Sequence, residues 1–185
     1  MVLDIYTDAG IHTRSKSIQI AAIAVDEKEN VYHFVEKTSA DQIKNLWNEF
    51  NSVSFRADST MGEMYAIYKT FTELHKLNVS ISEVNIYTDS LNSFNFINEV
   101  NKDILTNPDS VTGYISNAKT IVPRCRLTKM INNHIKKFKK ELESKNIKVN
   151  IRWIKGHGPC YFNLAVDKLC KPRTKQVNNL QEIKD

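Results

Sequence analysis

The chain has 185 residues, of which 41% are hydrophobic and 25% charged, with a formal net charge of +5. A length close to the prior of about 150 residues per domain gives room for one full core and no second large unit. MVLDIYTD reaches Asp4 before any apolar run develops, and no stretch approaches the roughly 18 apolar residues of a membrane span, so a leader and an anchor are not expected; the chain reads as a cytoplasmic monomer.

VLDIYT (2–7) alternates as a strand, IQIAAIAVD (18–26) is a second and VYHFVEK (31–37) a third, joined by polar turns of the kind that link antiparallel neighbours. Residues 38–60 read as an irregular excursion. In it SADQ resembles a capping box ahead of IKNLWNEF, a candidate short helix, and SVSFRADST reads as loop. Met64, Ile67, Phe71 and Leu74 recur at helical spacing and predict a helix from Met61 to Leu77. VNIYTD (84–89) is the next strand and SLNSFNFINEV a helix; residues 101–125, with NPDS, a glycine and a proline, form a connector. In TKMINNHIKKFKKELESK (128–145), Met130, Ile131, Ile135, Phe138 and Leu142 share one side and lysines the other, and VNIRWIK (149–155) is the last strand. After GHGPCYF a short helix starts near Asn163, and residues 172–185 form a polar tail expected to fray.

Three meander strands, then helix, strand, helices, strand and helix, describe a mixed α/β sheet with helices on its faces. Ligands in such sheets collect at the carboxyl ends of parallel strands. The tetrapeptide IYTD occurs twice, in DIYTDAG (4–10) and NIYTDSL (85–91). If these strands are parallel neighbours, about 4.8 Å apart, Asp8 and Asp89 emerge side by side, and two carboxylates so close favour a cation between them.

Other charged residues have more than one reading. Glu63 lies four residues before Ile67, on the face that packs on the sheet, yet Thr60-Met-Gly-Glu63 also fits the T-x-x-E capping box. Asp167 sits one turn after Asn163, where an acid near a helix N-terminus is ordinary dipole chemistry. Cys125, Cys160 and Cys170 are odd in number and lack CxxC spacing, which argues against a disulfide framework and a zinc site. From Lys119 to Lys155, 12 Lys and Arg face only Glu141 and Glu143, an excess of about +10 that suggests an anionic partner. Lys136, Lys137, Lys139 and Lys140 lie on the polar side of their helix as its grip, with a solvated helix face as the alternative.

TDAG after the first strand, GEMYAIYKTF in the first long helix, IYTDS after the fourth strand and WIKGHGPCYFNLAVD near the end stand in the order and spacing of a known pattern. Over residues 1–171 the chain resembles the type 1 ribonuclease H family. The last stretch is the most specific: W-x-K-G-H, then Asn163 six residues after His157 and Asp167 four later. The resemblance implies a ribonuclease H-like α/β fold, a five-stranded mixed sheet of order 3-2-1-4-5 flanked by helices. It implies metal-binding carboxylates at Asp8, Glu63, Asp89 and Asp167, a proton-carrying loop histidine at His157, and substrate contacts at Gly10, Ser59, Thr60, Lys155 and Asn163. The implied activity is hydrolysis of the RNA strand of RNA–DNA hybrids by two Mg²⁺ ions, or Mn²⁺, leaving 5′-phosphate and 3′-hydroxyl ends; an oxygen-only donor set agrees with those ions.

Two places depart from the family pattern. The first hairpin, IHTRSKS, is glycine-poor, and the polar pair ahead of the helix is Ser59 and Thr60 where Asn or Gln is common. Both positions touch nucleic acid in the family, so they bear on how RNA is told from DNA. A superfamily nuclease acting on DNA junctions is disfavoured by the GHGPCYFN loop, and a non-catalytic hybrid-binding module by the presence of all four acids.

Overall fold

In the computed structural model, which describes residues 1–12, 16–46, 58–77, 80–99, 118–156, 158–172 and 175–182, β1 (Val2–His12), β2 (Ser17–Asp26) and β3 (Val31–Ser39) form the expected antiparallel meander. Helix α1 (Ala40–Asn45) follows, capped by the Ser39 hydroxyl, which accepts the Gln42 N–H at 3.2 Å. Next come α2 (Ser59–Leu74), β4 (Glu83–Thr88), α3 (Leu91–Ile97), α4 (Ala118–Ser144), β5 (Lys148–Trp153), α5 (Tyr161–Leu169) and β6 (Val177–Glu182). Strand β4 is parallel to β1, and β5 is parallel to β4. The sheet order is β5-β4-β1-β2-β3-β6, which is the anticipated 3-2-1-4-5 arrangement with one strand added beyond β3.

The alternation of β1 explains the layering. Leu3 and Ile5 point into the larger core with Val84, Ile86, Val149 and Ile151, beneath α2, α3 and α4. The opposite face is covered by α5, whose Val166 packs with Ala21, Ile23, Val35 and Cys170. Strand β2 is therefore enclosed on both sides, and IQIAAIAV is apolar at nearly every position for that reason. The exception is Gln19, which is 1% exposed and donates from Nε2 to the carbonyls of Leu169 and Lys171, both at 2.7 Å. These bonds satisfy carbonyls that the end of α5 leaves unpaired, and they fasten that helix to the sheet.

Three expectations change. The tail does not simply fray: residues 177–182 pair antiparallel with β3, Val177 opposite Val35 and Tyr32 opposite Glu182. An open β3 edge offers free backbone donors and acceptors, and pairing through backbone leaves little trace in side-chain composition. Helix α4 begins at Ala118, inside the stretch 101–125 read as a connector. Pro123 lies in its second turn, where a missing N–H removes only one intrahelical bond. Finally, α2 starts at Ser59 and is capped by Asp58, whose Oδ1 accepts the Met61 N–H at 2.8 Å. The Thr60 capping box is not the one formed. Residues 47–57, in the excursion after α1, lie outside the described residues.

Candidate metal centre

The repeated IYTD segments pair with one another. Ile5 opposes Ile86, Tyr6 opposes Tyr87 and Thr7 opposes Thr88, so Asp8 and Asp89 leave the same end of adjacent parallel strands. Thr88 Oγ1 accepts the Ser90 N–H at 3.2 Å, and Ser90 in turn caps α3 by accepting the Ser93 N–H at 3.2 Å. The Ser93 hydroxyl then donates to the Thr60 carbonyl at 3.4 Å and ties α3 to the first turn of α2. Gly62 lets that turn come down on the sheet: a Cβ there would lie 3.1 Å from Ala9 Cβ and from Ile11 Cδ1. Glu63 consequently arrives over β1. The Ala9 N–H is shared between Asp8 Oδ1 at 2.8 Å and Glu63 Oε1 at 3.2 Å.

Asp8, Glu63 and Asp89 each place one carboxylate oxygen within 4.8 Å of the others. Glu63 is 6% exposed, and its Oε2 has no hydrogen-bond partner among the described residues. Burial, followed by the charge of Asp8 and a hydrogen bond with it, pushes Glu63 well above the usual carboxylate range. Burial also raises Asp8, helped by the charges of Asp89 and Asp167 and opposed by its bonds to Glu63 and the Ala9 N–H. Crowded acids with an orphaned buried oxygen form a donor set that fits a hard divalent cation. The neighbouring Cys170 thiol adds no soft ligand, because burial and the charges of Asp8 and Glu63 push its pKa far up.

Asp167 is not within that group of three. It stands on α5 with Oδ1 paired to Lys171 Nζ at 2.9 Å. Its helix is held against β2 by the Gln19 bonds and against β1 by His12 Nε2 donating to the Cys170 carbonyl at 3.1 Å and by Gly10, where a Cβ would meet that carbonyl at 2.4 Å. Gly10 thus has a packing role here. Ser59 is exposed and Thr60 half-buried at the start of α2, beside Glu63; Lys155 is exposed in the turn after β5. Asn163 is buried and turned to Asp89, its Nδ2 donating to Oδ2 at 3.2 Å. His157 lies outside the described residues. Lys137 and Lys140 are exposed on α4, with Lys136 and Lys139 half-buried beside them.

The family model described as RNase H matches residues 2–175. The chain belongs to the RNase H family. Solved RNase H structures share its fold. The N-terminal RNase H domain of rv2228c from Mycobacterium tuberculosis, solved as a fusion with maltose-binding protein, is 11% identical, with a TM-score of 0.54 over 91% of this chain and 93% of that one. LC11-RNase H1, solved in complex with an RNA/DNA hybrid, is 16% identical, with a TM-score of 0.57 over 90% of this chain and 92% of that one. No curated protein matches the sequence. Within this RNase H chain, sequence reasoning overlooked Asp58, Gln19 and Lys171. A Gln inside the apolar run of β2 was the available signal for the second, and an Asp directly ahead of the helical pattern for the first.

Proposed function

We propose that the protein is an RNA–DNA hybrid endoribonuclease whose divalent ions are held by Asp8, Glu63, Asp89 and Asp167. The observation that carries this is the convergence of Asp8, Glu63 and Asp89 within 4.8 Å in a chain of the RNase H family. Two Mg²⁺ ions, with Mn²⁺ as a substitute, would activate the attacking water and stabilise the leaving 3′ oxygen, giving 5′-phosphate and 3′-hydroxyl ends. The solved relative with a bound RNA/DNA hybrid supports the choice of substrate.

The protein's own groups set the conditions. Because burial raises the pKa of both Asp8 and Glu63, cations compete with protons there, and metal affinity rises with pH. His157, beside Gly156 and Gly158 in sequence, is assigned to carry protons between water and the reacting oxygens. The Ser59 and Thr60 hydroxyls flank Glu63 and are assigned to the substrate strand, while the lysines of α4 grip phosphates without reading sequence. Labelled hybrid, duplex RNA, duplex DNA and a four-way junction, each with Mg²⁺ and with EDTA, provide the test. Metal-dependent cutting of the hybrid alone is expected, whereas cutting of the junction or of duplex DNA in preference would overturn the assignment.

A further inference from the structure

Asp89 is held by the stretch that runs from β5 into α5. The Ile154 N–H donates to the Thr88 carbonyl at 3.0 Å, which extends the β4–β5 pairing up to the aspartate. Trp153 Nε1 donates to the Asp89 carbonyl at 3.1 Å, and Asn163 Nδ2 donates to Asp89 Oδ2 at 3.2 Å. Gly156 also lies against that oxygen. A Cβ on Gly156 would lie 3.0 Å from Asp89 Oδ2 and 3.5 Å from its Cβ and Cγ. Backbone and carboxylate are therefore fixed separately, one by Trp153 and the other by Asn163 and Gly156.

Asn163 is an unusual place for an amide. It is 3% exposed and its Oδ1 has no partner among the described residues, so one buried acceptor goes unsatisfied while Nδ2 serves Asp89. An apolar residue would avoid that penalty if packing were the only requirement. A neutral amide donor suits a ligand carboxylate. It occupies one oxygen without adding charge, and no described donor competes for Oδ1. We infer that Asn163 is a positioning residue for Asp89 rather than a contact to substrate, and that Gly156 is required to leave the carboxylate in place. The inference rests on the proposed metal site. It also gives the W-x-K-G spacing and the later Asn a shared purpose: Trp153, Gly156 and Asn163 close on one aspartate.

The test uses the full chain, with Mn²⁺ titrated calorimetrically in the absence of nucleic acid, and with steady-state cleavage of hybrid measured separately. Asn163→Ala should weaken Mn²⁺ binding by about 10- to 100-fold and lower kcat by about tenfold or more, with KM for hybrid within about twofold of wild type. Gly156→Ala crowds the same Asp89 oxygen that Asn163 holds. No described glycine has a positive φ, so the alanine meets the carboxylate without backbone strain, and the same signature is expected. A raised KM with wild-type kcat and Mn²⁺ affinity in Asn163→Ala would return this residue to substrate binding and overturn the inference. Wild-type Mn²⁺ affinity in Gly156→Ala would also overturn it, and this variant decides the matter if Asn163→Ala does not fold. A wild-type chain that neither binds Mn²⁺ nor cuts hybrid overturns the metal site itself, an outcome separable from any effect of the variants.

Discussion

Glu63 shows most directly what a single residue contributes, since a carboxylate buried beside Asp8 is unfavourable until a cation neutralises it. Its folded pKa lies above the ordinary 4.5, so below that pH it is protonated in both states, and the advantage of holding the proton is lost as pH rises through the folded value. Asp8, raised from 3.8, acts in the same direction. The metal-free protein should therefore become less stable as pH rises above the ordinary 4.5, and Glu63→Gln should flatten that trend and raise the melting temperature on its alkaline side, measured by thermal unfolding in EDTA. The same variant should be inactive. Asp8→Asn and Asp89→Asn should each retain less than about a tenth of the wild-type rate, a loss above 1.4 kcal/mol, while unfolding no more readily than wild type in EDTA. Higher activity in either would remove that residue from the site. The two aspartates were legible because the sequence repeats around them. Glu63 was ambiguous because T-x-x-E carries two meanings, and Asp58, which takes the cap, is what frees it.

Among the elements, α4 had the most readable pattern and an unreadable beginning. Its apolar residues Ile131, Ile135 and Leu142 are buried as the periodicity required. Its lysines are less free than their spacing suggested. Lys136 pairs with Glu99, Lys137 with Glu141 at 3.9 Å and Lys139 with Glu143 at 3.8 Å. Exposed pairs of this kind contribute little and yield to competing phosphates. Replacing Lys136, Lys137, Lys139 and Lys140 by Gln should weaken hybrid binding and reduce the slope of log affinity against log salt by about two to three units, with kcat nearly unchanged. An unaltered slope would mark the lysines as a solvated face. Strand β6 escaped sequence reading because VNNLQE has no strict alternation and only Val177 as a strong strand former. Truncation after Lys171 should cost at least about 1 kcal/mol in lost edge pairing, or about 2–4 °C in melting temperature, with hybrid cleavage preserved. Unchanged melting would mean that β6 adds nothing to the fold.

For the whole molecule, the meander and the mixed sheet were legible because hydrophobic period and turn chemistry specify them, and the strand order came from the family resemblance, whereas the approach of Glu63 to the two aspartates depends on tertiary contacts that no local pattern records. Cation binding to the folded state alone should raise stability by mass action, by about 2.7 kcal/mol at a hundred times the dissociation constant. Mg²⁺ should accordingly raise the melting temperature of wild type and have little effect on Asp89→Asn; equal shifts in both would place the binding elsewhere. The parallel register of β1 with β4 has a further, kinetic consequence. Asp8 and Asp89 are 81 positions apart in the chain and Glu63 belongs to the helix between them, so no segment holds the set before the crossover closes. A refolding chain then has nothing to offer a cation during nucleation. Added Mg²⁺ should slow unfolding far more than it speeds folding, and the return of activity should report closure of the β1–β4 pair rather than formation of any one helix.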